Sequence, residues 1–278
     1  MSKEEENMIE INTGTQELLC HIENRVAVIT LNKPHKKNAL GDVLTPALRE
    51  TLLKVDRDDR VGCVMITGTG DAFCAGGDIS EMGGNSGPDT RTSTEKVAEL
   101  LLKQETLTLR LHQLSKITVA ALPGVAAGAG LSIALACDLR IASDNAFVTT
   151  AFRNIGLSGD YGASWFLPRL IGLAKARDLF FTARRVPAQE CAQLGLFNEV
   201  FPQELFREKA LAYVEDLANG PTAALGRMKR NLNAGLHQTL EDSLLLEAEN
   251  LIASTEGDEI KEAVSAFMQK RSPRFHGD

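Results

Sequence analysis

Residues 117–142 read ITVAALPGVAAGAGLSIALACDLRIA, and this stretch constrains the fold more than any other. A strand-like run, 117–122, meets a Pro-Gly break and then a turn built almost wholly of glycine and alanine. A helical run follows around 131–136, and strand character returns at 138–142. A second small-residue turn, AFCAGGDI at 72–79, follows another apolar run, VGCVMIT at 61–67. Short apolar runs without polar alternation fit strands covered on both faces, as in α/β proteins. The first amides of a helix have no internal partner, and glycine or alanine lets a ligand approach them closely. Two tight strand-to-helix turns with a purely structural role would use the same residues, so both readings stand on spacing alone.

The rest of the chain fits an α/β frame. Residues 17–22 and 25–31 read as a β-hairpin. Leu44, Leu48, Leu52 and Val55 fall about one turn apart, which predicts a helix within 38–58, and the run 61–67 then suggests parallel pairing. Residues 83–94, GGNSGPDTRTST, form the clearest loop, and Thr92 with Glu95 fits a capping box for a helix reaching about Leu114. Beyond about residue 200 the pattern turns helical. Starts are expected at Pro202, Pro221 and Thr239, and Ile260, Ala263, Val264, Phe267 and Met268 share one face of the last helix. The expected organisation is a core over 1–200 and a helical region over 201–278.

Composition removes several function classes. A net charge of −7 argues against a general nucleic-acid binder, although two short basic clusters occur, at 33–37 and 270–274. The acidic start, MSKEEENMIE, does not read as a signal peptide, and no stretch reaches the roughly 18 apolar residues of a membrane span. Five scattered cysteines without a CxxC pair fit reduced thiols and a cytoplasmic setting. The histidines and cysteines form no metal-ligand pattern. Neither glycine turn is a dinucleotide fingerprint: Gly128-Ala129-Gly130 would need a small residue where Ile133 stands, and no P-loop lysine follows.

One acid stands out, Asp160 in IGLSGDYGASWFLPRL, residues 155–170. It sits among glycines just before an apolar run. An aspartate there can cap the following helix, or it can be a carboxylate kept for chemistry.

Six ordered segments resemble the crotonase, or enoyl-CoA hydratase/isomerase, superfamily over about residues 16–275. They are VAVITLNKPHKKNAL (26–40), VMITGTGDAFCAGGDISEM (64–82), PGVAAGAGLSIALACDLRIAS (123–143), FRNIGLSGDYGASWFLPRLIG (152–172), AKARDLFFTARRVPAQECAQLGLFNEVF (174–201) and AFMQKRSPRF (266–275). The resemblance implies an α/β spiral of ββα turns with a C-terminal helical trimerisation region, assembled as a homotrimer or as a hexamer of paired trimers. It implies an acyl-CoA substrate, with coenzyme A part of that substrate and no separate cofactor. The backbone N–H groups of Gly77 and Ala129 match the family's two donors to the thioester oxygen. Such donors are worth on the order of 10²–10³ in rate each.

The two glutamates used by the family's hydratases fall here on Ser132 and on Phe152 (or Ala151), none of which can ionise as a carboxylate. The segment around Asp160 resembles instead the branch with a single aspartate at this position, which includes enoyl-CoA isomerases and a ring-epoxide isomerase. The resemblance then implies that Asp160 takes a proton from C2 of a 3-enoyl thioester and returns it at C4. An apolar wall including Phe152 and Trp165 would raise its pKa, and helix amides would lower it. Lys37 and the backbone near Ala75 match positions that meet the CoA nucleotide, and Phe267 and Lys270 match a C-terminal pair that closes the pocket. Phe267 also fits plain core. Together with Ser132 and Phe152, these are the residues expected to meet substrate. Asp78 reads as structural, tying its turn. A hydratase using Asp160 with Ser132 or Ser158 is the main alternative. A serine hydrolase built on Ser132, Asp160 and His237 is a remote one.

Overall fold

The computed structural model describes residues 8–82 and 90–276, with the side chains of residues 81 and 82 left aside. Most of the loop expected at 83–94, and the first seven residues, therefore lie outside the described residues.

Strands β1 (Ile9–Glu10), β2 (Leu18–Glu23) and β3 (Val26–Leu31) form an antiparallel meander that includes the expected hairpin. Helix α1 (Leu44–Asp56) follows, and Leu44, Leu48, Leu52 and Val55 are all fully buried, as their spacing requires. The helix starts six residues later than the sequence pattern allows, because Asn38 has a left-handed backbone and is committed elsewhere. Its side chain accepts from the Lys33 N–H and donates to the carbonyls of Thr69 and Ala72. Next come β4 (Cys63–Gly68), β5 (Ala72–Cys74), α2 (Ile79–Met82) and α3 (Ser93–Gln104). The capping box of Thr92 and Glu95 is formed at the start of α3. A wider π-helical turn, Glu105–Leu109, leads into α4 (Arg110–Gln113).

The stretch 117–143 resolves into β6 (Ile117–Leu122), β7 (Val125–Ala127), α5 (Ala129–Ala136) and β8 (Leu139–Ser143). It is followed by β9 (Phe147–Thr149), α6 (Ala163–Ile171), α7 (Leu173–Thr182), β10 (Val186–Pro187), α8 (Ala188–Gln193) and β11 (Glu199–Phe201). The last elements are α9 (Phe206–Ala218), α10 (Thr222–Gly235), α11 (Leu240–Thr255) and α12 (Asp258–Gln269).

The strands make two sheets. A seven-stranded one runs β1-β2-β3-β4-β6-β8-β11, parallel from β3 onward, and a four-stranded one runs β10-β9-β7-β5. The step from β3 to β4 runs through α1 alone, and each later parallel step rises from the large sheet into the small one and returns through a helix. All eight residues of α5 are buried, and the main core lies between this helix, α1 and the inner face of the large sheet. On the outer face, Phe206, Ala210, Val214 and Ala218 of α9 pack against Val28, Met65, Val119 and Ile141. The first long helix after residue 201 thus covers the sheet.

Helices α10 to α12 extend beyond that core, fixed to it by Lys229, whose ammonium reaches the Asp138 carboxylate at 2.7 Å and the Lys116 carbonyl at 3.1 Å. The last helix corrects one expectation. Phe267 is 82% exposed and Met268 76%, so the apolar face of α12 is open in the single chain rather than plain core.

Candidate active site

The two glycine turns come together. Leu40 accepts from the Asp78 N–H and donates to the Gly76 carbonyl, both at 2.8 Å, in a parallel bridge with Gly77. A bridged residue flanked in this way turns its own N–H to the opposite side, and the Gly77 N–H has no backbone partner among the described residues. Ala129 is the first residue of α5, so its N–H has no partner within the helix. The turns touch closely: a methyl group placed on Gly76 would stand 2.9 Å from the Ala127 oxygen and 3.6 Å from the Ala129 nitrogen. Gly76 also has a left-handed φ of 97°, so both conformation and space require glycine.

A salt-bridged anchor holds the first turn. The buried Asp78 carboxylate accepts from Lys36 Nζ at 2.6 Å, from Lys33 Nζ at 3.2 Å, and from the hydroxyl and N–H of Ser80. Hydrogen bonds from Lys36, then Ser80 and Lys33, hold its pKa well below the ordinary carboxylate range. Lys37 is exposed, and its carbonyl accepts from the Ala75 N–H at 2.9 Å, which brings the two residues paired in the sequence analysis side by side.

Asp160 projects from a turn in which Gly159, Tyr161 and Gly162 have φ of 106°, 51° and 83°. Its capping role is not realised. The N-cap of α6 is Gly162, with no side chain serving the helix, and Oδ1 of Asp160 is buried without a hydrogen-bond partner among the described residues. Burial is the cause that raises the Asp160 pKa from 3.8 to about 6. Of the two opposing influences expected from sequence, desolvation prevails, and among the described residues no helix amide bonds the carboxylate.

Phe152 is buried beside the same turn. Its ring lies 3.6 Å from the positions that methyl groups on Gly128 and on Gly159 would occupy, and it stacks on Phe180 with centroids 6.2 Å apart. It thus packs between the α5 turn and the Asp160 turn. Trp165 does not share this wall. It packs against His112, Phe166 and His237 beside a cavity of about 560 Å³, with the Arg169 guanidinium 4.0 Å from its ring centre.

Ser132 is wholly inaccessible, and its hydroxyl lies 3.0 Å from the Asp160 carbonyl and 3.2 Å from that of Gly128. With no open face, it cannot act as a nucleophile, and His237 packs on Trp165 rather than on Ser132. The hydrolase reading therefore has no geometry behind it. The tail carrying Phe267 and Lys270 hydrogen-bonds within the C-terminal helices. Glu259 accepts from the N–H groups of Ala223 and Ala224, and Arg271 pairs with Glu262 at 2.6 Å. Two residues at the site escaped the sequence reading, Gln104 and Arg49, which contact Tyr161. Only their three-dimensional placement marks them. The described residues contain no cluster able to hold a metal ion, and no helix is long and apolar enough to cross a membrane.

Chemically, two free N–H groups beside each other can receive a developing negative oxygen, and a desolvated carboxylate can take a proton. An α/β frame of two sheets wound around a buried helix, with helices following at the C-terminal end, is the crotonase fold. It is shared with solved structures, among them an enoyl-CoA hydratase from Polaromonas sp. JS666 with TM-score 0.86 and 31% identity, covering 93% of this chain and 99% of that one. The family model of enoyl-CoA hydratase/isomerase matches residues 21–278, and the chain belongs to that family. It is 35% identical to a 1,2-epoxyphenylacetyl-CoA isomerase of Escherichia coli (strain K12), over 94% of this chain and 98% of the relative. It is 33% identical to a 4-chlorobenzoyl coenzyme A dehalogenase of an Arthrobacter species, over 88% of each. A short-chain-enoyl-CoA hydratase of Clostridium acetobutylicum shares 32% identity, over 90% of this chain and 93% of the relative.

Proposed function

We propose that the chain shifts a carbon–carbon double bond in an acyl-CoA thioester, from 3-enoyl to 2-enoyl or in a ring-type equivalent. In this reading Asp160 removes a proton from C2. The electrons move onto the thioester oxygen, which the N–H groups of Gly77 and Ala129 receive. When the enolate collapses, the double bond forms between C2 and C3, and Asp160 delivers its proton to C4. One base suffices, because the proton removed and the proton returned pass through the same carboxyl.

The observation that carries this reading is the Asp160 carboxylate itself, desolvated, with one oxygen unpartnered and free of any capping duty. A base whose pKa lies somewhat below the working pH is largely ionised yet still basic enough to abstract a carbon-bound proton. The absence of ionisable groups at Ser132 and Phe152 weighs against hydration, which usually needs a second carboxylate. The Escherichia coli relative is an isomerase, which supports this reading, whereas the Clostridium relative is a hydratase, the alternative.

Lys37 and the Ala75 backbone seat the CoA nucleotide in this reading, with coenzyme A belonging to the substrate. Residues 201–278 are the assembly region of a trimer or paired trimers, a reading supported by the open apolar side chains of Leu232, Leu240, Leu245, Leu251, Phe267 and Met268. Phe267 and Lys270 close the pocket in that assembly.

The test offers purified protein 2-enoyl-CoA and 3-enoyl-CoA, then repeats both with Asp160→Asn. The expected result is 3-to-2 isomerisation that falls by about 10²–10⁴ in the variant, with its circular dichroism unchanged. Strong hydration of 2-enoyl-CoA that survives the substitution would overturn the proposal.

A further inference from the structure

We infer that Ser132 and Gln104 are positioning residues that clamp the two ends of one peptide unit, the unit joining Asp160 to Tyr161. The inference rests on the reading of Asp160 as the proton carrier. At one end, the carbonyl of Asp160 lies 3.0 Å from the Ser132 hydroxyl and 3.3 Å from the Ala163 N–H. At the other, the N–H of Tyr161 donates to Oε1 of Gln104 at 2.8 Å. The two side chains come from different helices, α5 and α3.

Such a clamp answers a physical need. A buried, unpartnered carboxylate oxygen is costly, so the turn gains by rotating the carboxyl toward water. The backbone adds its own strain, since Tyr161 at φ 51° is a non-glycine residue in the left-handed region. A shift of the backbone at 160–161 that carried the Asp160 side chain away would break both anchoring hydrogen bonds at once. Gln104 ends α3 where the helix widens into the π turn of Glu105–Leu109, a local feature that often marks functional positions. Ser132 stands three residues beyond Ala129 on α5, so the same helix that offers a free N–H to the substrate oxygen also holds the base.

Among the described residues, the charged and titratable groups that act around the turn are Arg49 on α1, Lys103 on α3 and the Tyr161 phenol. Arg49 and Lys103 act on the phenol, whereas the carboxyl of Asp160 responds to burial.

The test uses Ser132→Ala, Gln104→Met and Gln104→Glu, the last of which keeps the acceptor oxygen. Steady-state kinetics on 3-enoyl-CoA is combined with a ¹³C-carboxyl NMR titration in which Asp160→Asn identifies the Asp160 signal. Ser132→Ala and Gln104→Met are expected to lower kcat by about 10- to 100-fold, the scale of a small misplacement of a reacting group, with KM changed less than about twofold. In both variants the Asp160 titration midpoint should move down from about 6 as the released carboxyl gains water. Gln104→Glu should recover most of the lost rate. An unmoved midpoint in both variants, or a Gln104→Glu variant no better than Gln104→Met, would overturn the clamp. Failure of the functional reading looks different: Asp160→Asn would then isomerise as well as the parent, while the NMR midpoints still decide the clamp.

Discussion

Replacing Asp160 by asparagine removes a charge while keeping the shape, and the structure predicts that the protein becomes more stable for it at neutral pH. The rise of the Asp160 pKa from 3.8 to about 6 on folding is worth about 1.4 kcal/mol for each pH unit, so about 3 kcal/mol at most. The carboxyl is partly open to solvent, which screens it, and a share of about 1–2 kcal/mol is expected. The sign follows from linkage. Between pH 3.8 and 6 the folded state binds more protons at this site than the unfolded chain, so stability falls as pH rises through that window and stays lowered above it. Asparagine carries no such penalty. Urea unfolding of the parent and Asp160→Asn, at one fixed protein concentration, should therefore show the variant ahead by about 1–2 kcal/mol at pH 8. At pH 5 the gap should shrink to roughly half of that. The same variant is the one expected to lose catalysis, so stability and activity should move in opposite directions. A difference that does not change with pH, or an asparagine variant less stable than the parent at pH 8, would refute the claim that a desolvated charge resides there.

Four further outcomes follow from the packing. Gly130→Ala would place a methyl group 2.3 Å from the Cys74 carbonyl oxygen and 2.7 Å from its Cβ; forcing α5 off β5 should cost about 1–3 kcal/mol, read as a lowered Tm. Lys229→Met strands the Asp138 carboxylate beneath α10 and should destabilise by about 3 kcal/mol, measured by urea unfolding at pH 7. On the proposed assembly, Phe267→Ser should leave monomer folding intact and lower the mass seen in sedimentation velocity, because the ring is open in the single chain. The five cysteines are all buried, with thiol pKa values pushed up to about 12 chiefly by desolvation. They should resist Ellman's reagent in the native state and react together on unfolding.

Local chemistry made much of this structure legible beforehand. The leucine spacing of α1, the Thr92–Glu95 box and the apolar strand runs each depend on near neighbours in the chain, and each appears where expected. The small sheet was hidden. Ala72–Cys74 and Val125–Ala127 are three-residue strands inside glycine- and alanine-rich segments, too short to show a period and defined only by pairing across the fold. Asp160 was conspicuous in the sequence, but its capping reading could be set aside only by seeing that Gly162 begins the helix. Gln104 was invisible for a different reason: 57 residues separate it from the N–H it accepts, and a glutamine at a helix end carries no mark of its purpose. The two readings of Phe267, core or pocket wall, could not be separated from sequence, because an amphipathic pattern looks the same whether or not its own chain covers it.

Placing the free Ala129 amide and the Ser132 hydroxyl on one short helix has a mechanical consequence. Three residues of helix separate them by about 4.5 Å along its axis, and the rod is wedged on every side by core atoms. In the proposed mechanism, the amide offered to the substrate oxygen and the hydroxyl beside the Asp160 carbonyl therefore share one rod that fixes their mutual offset.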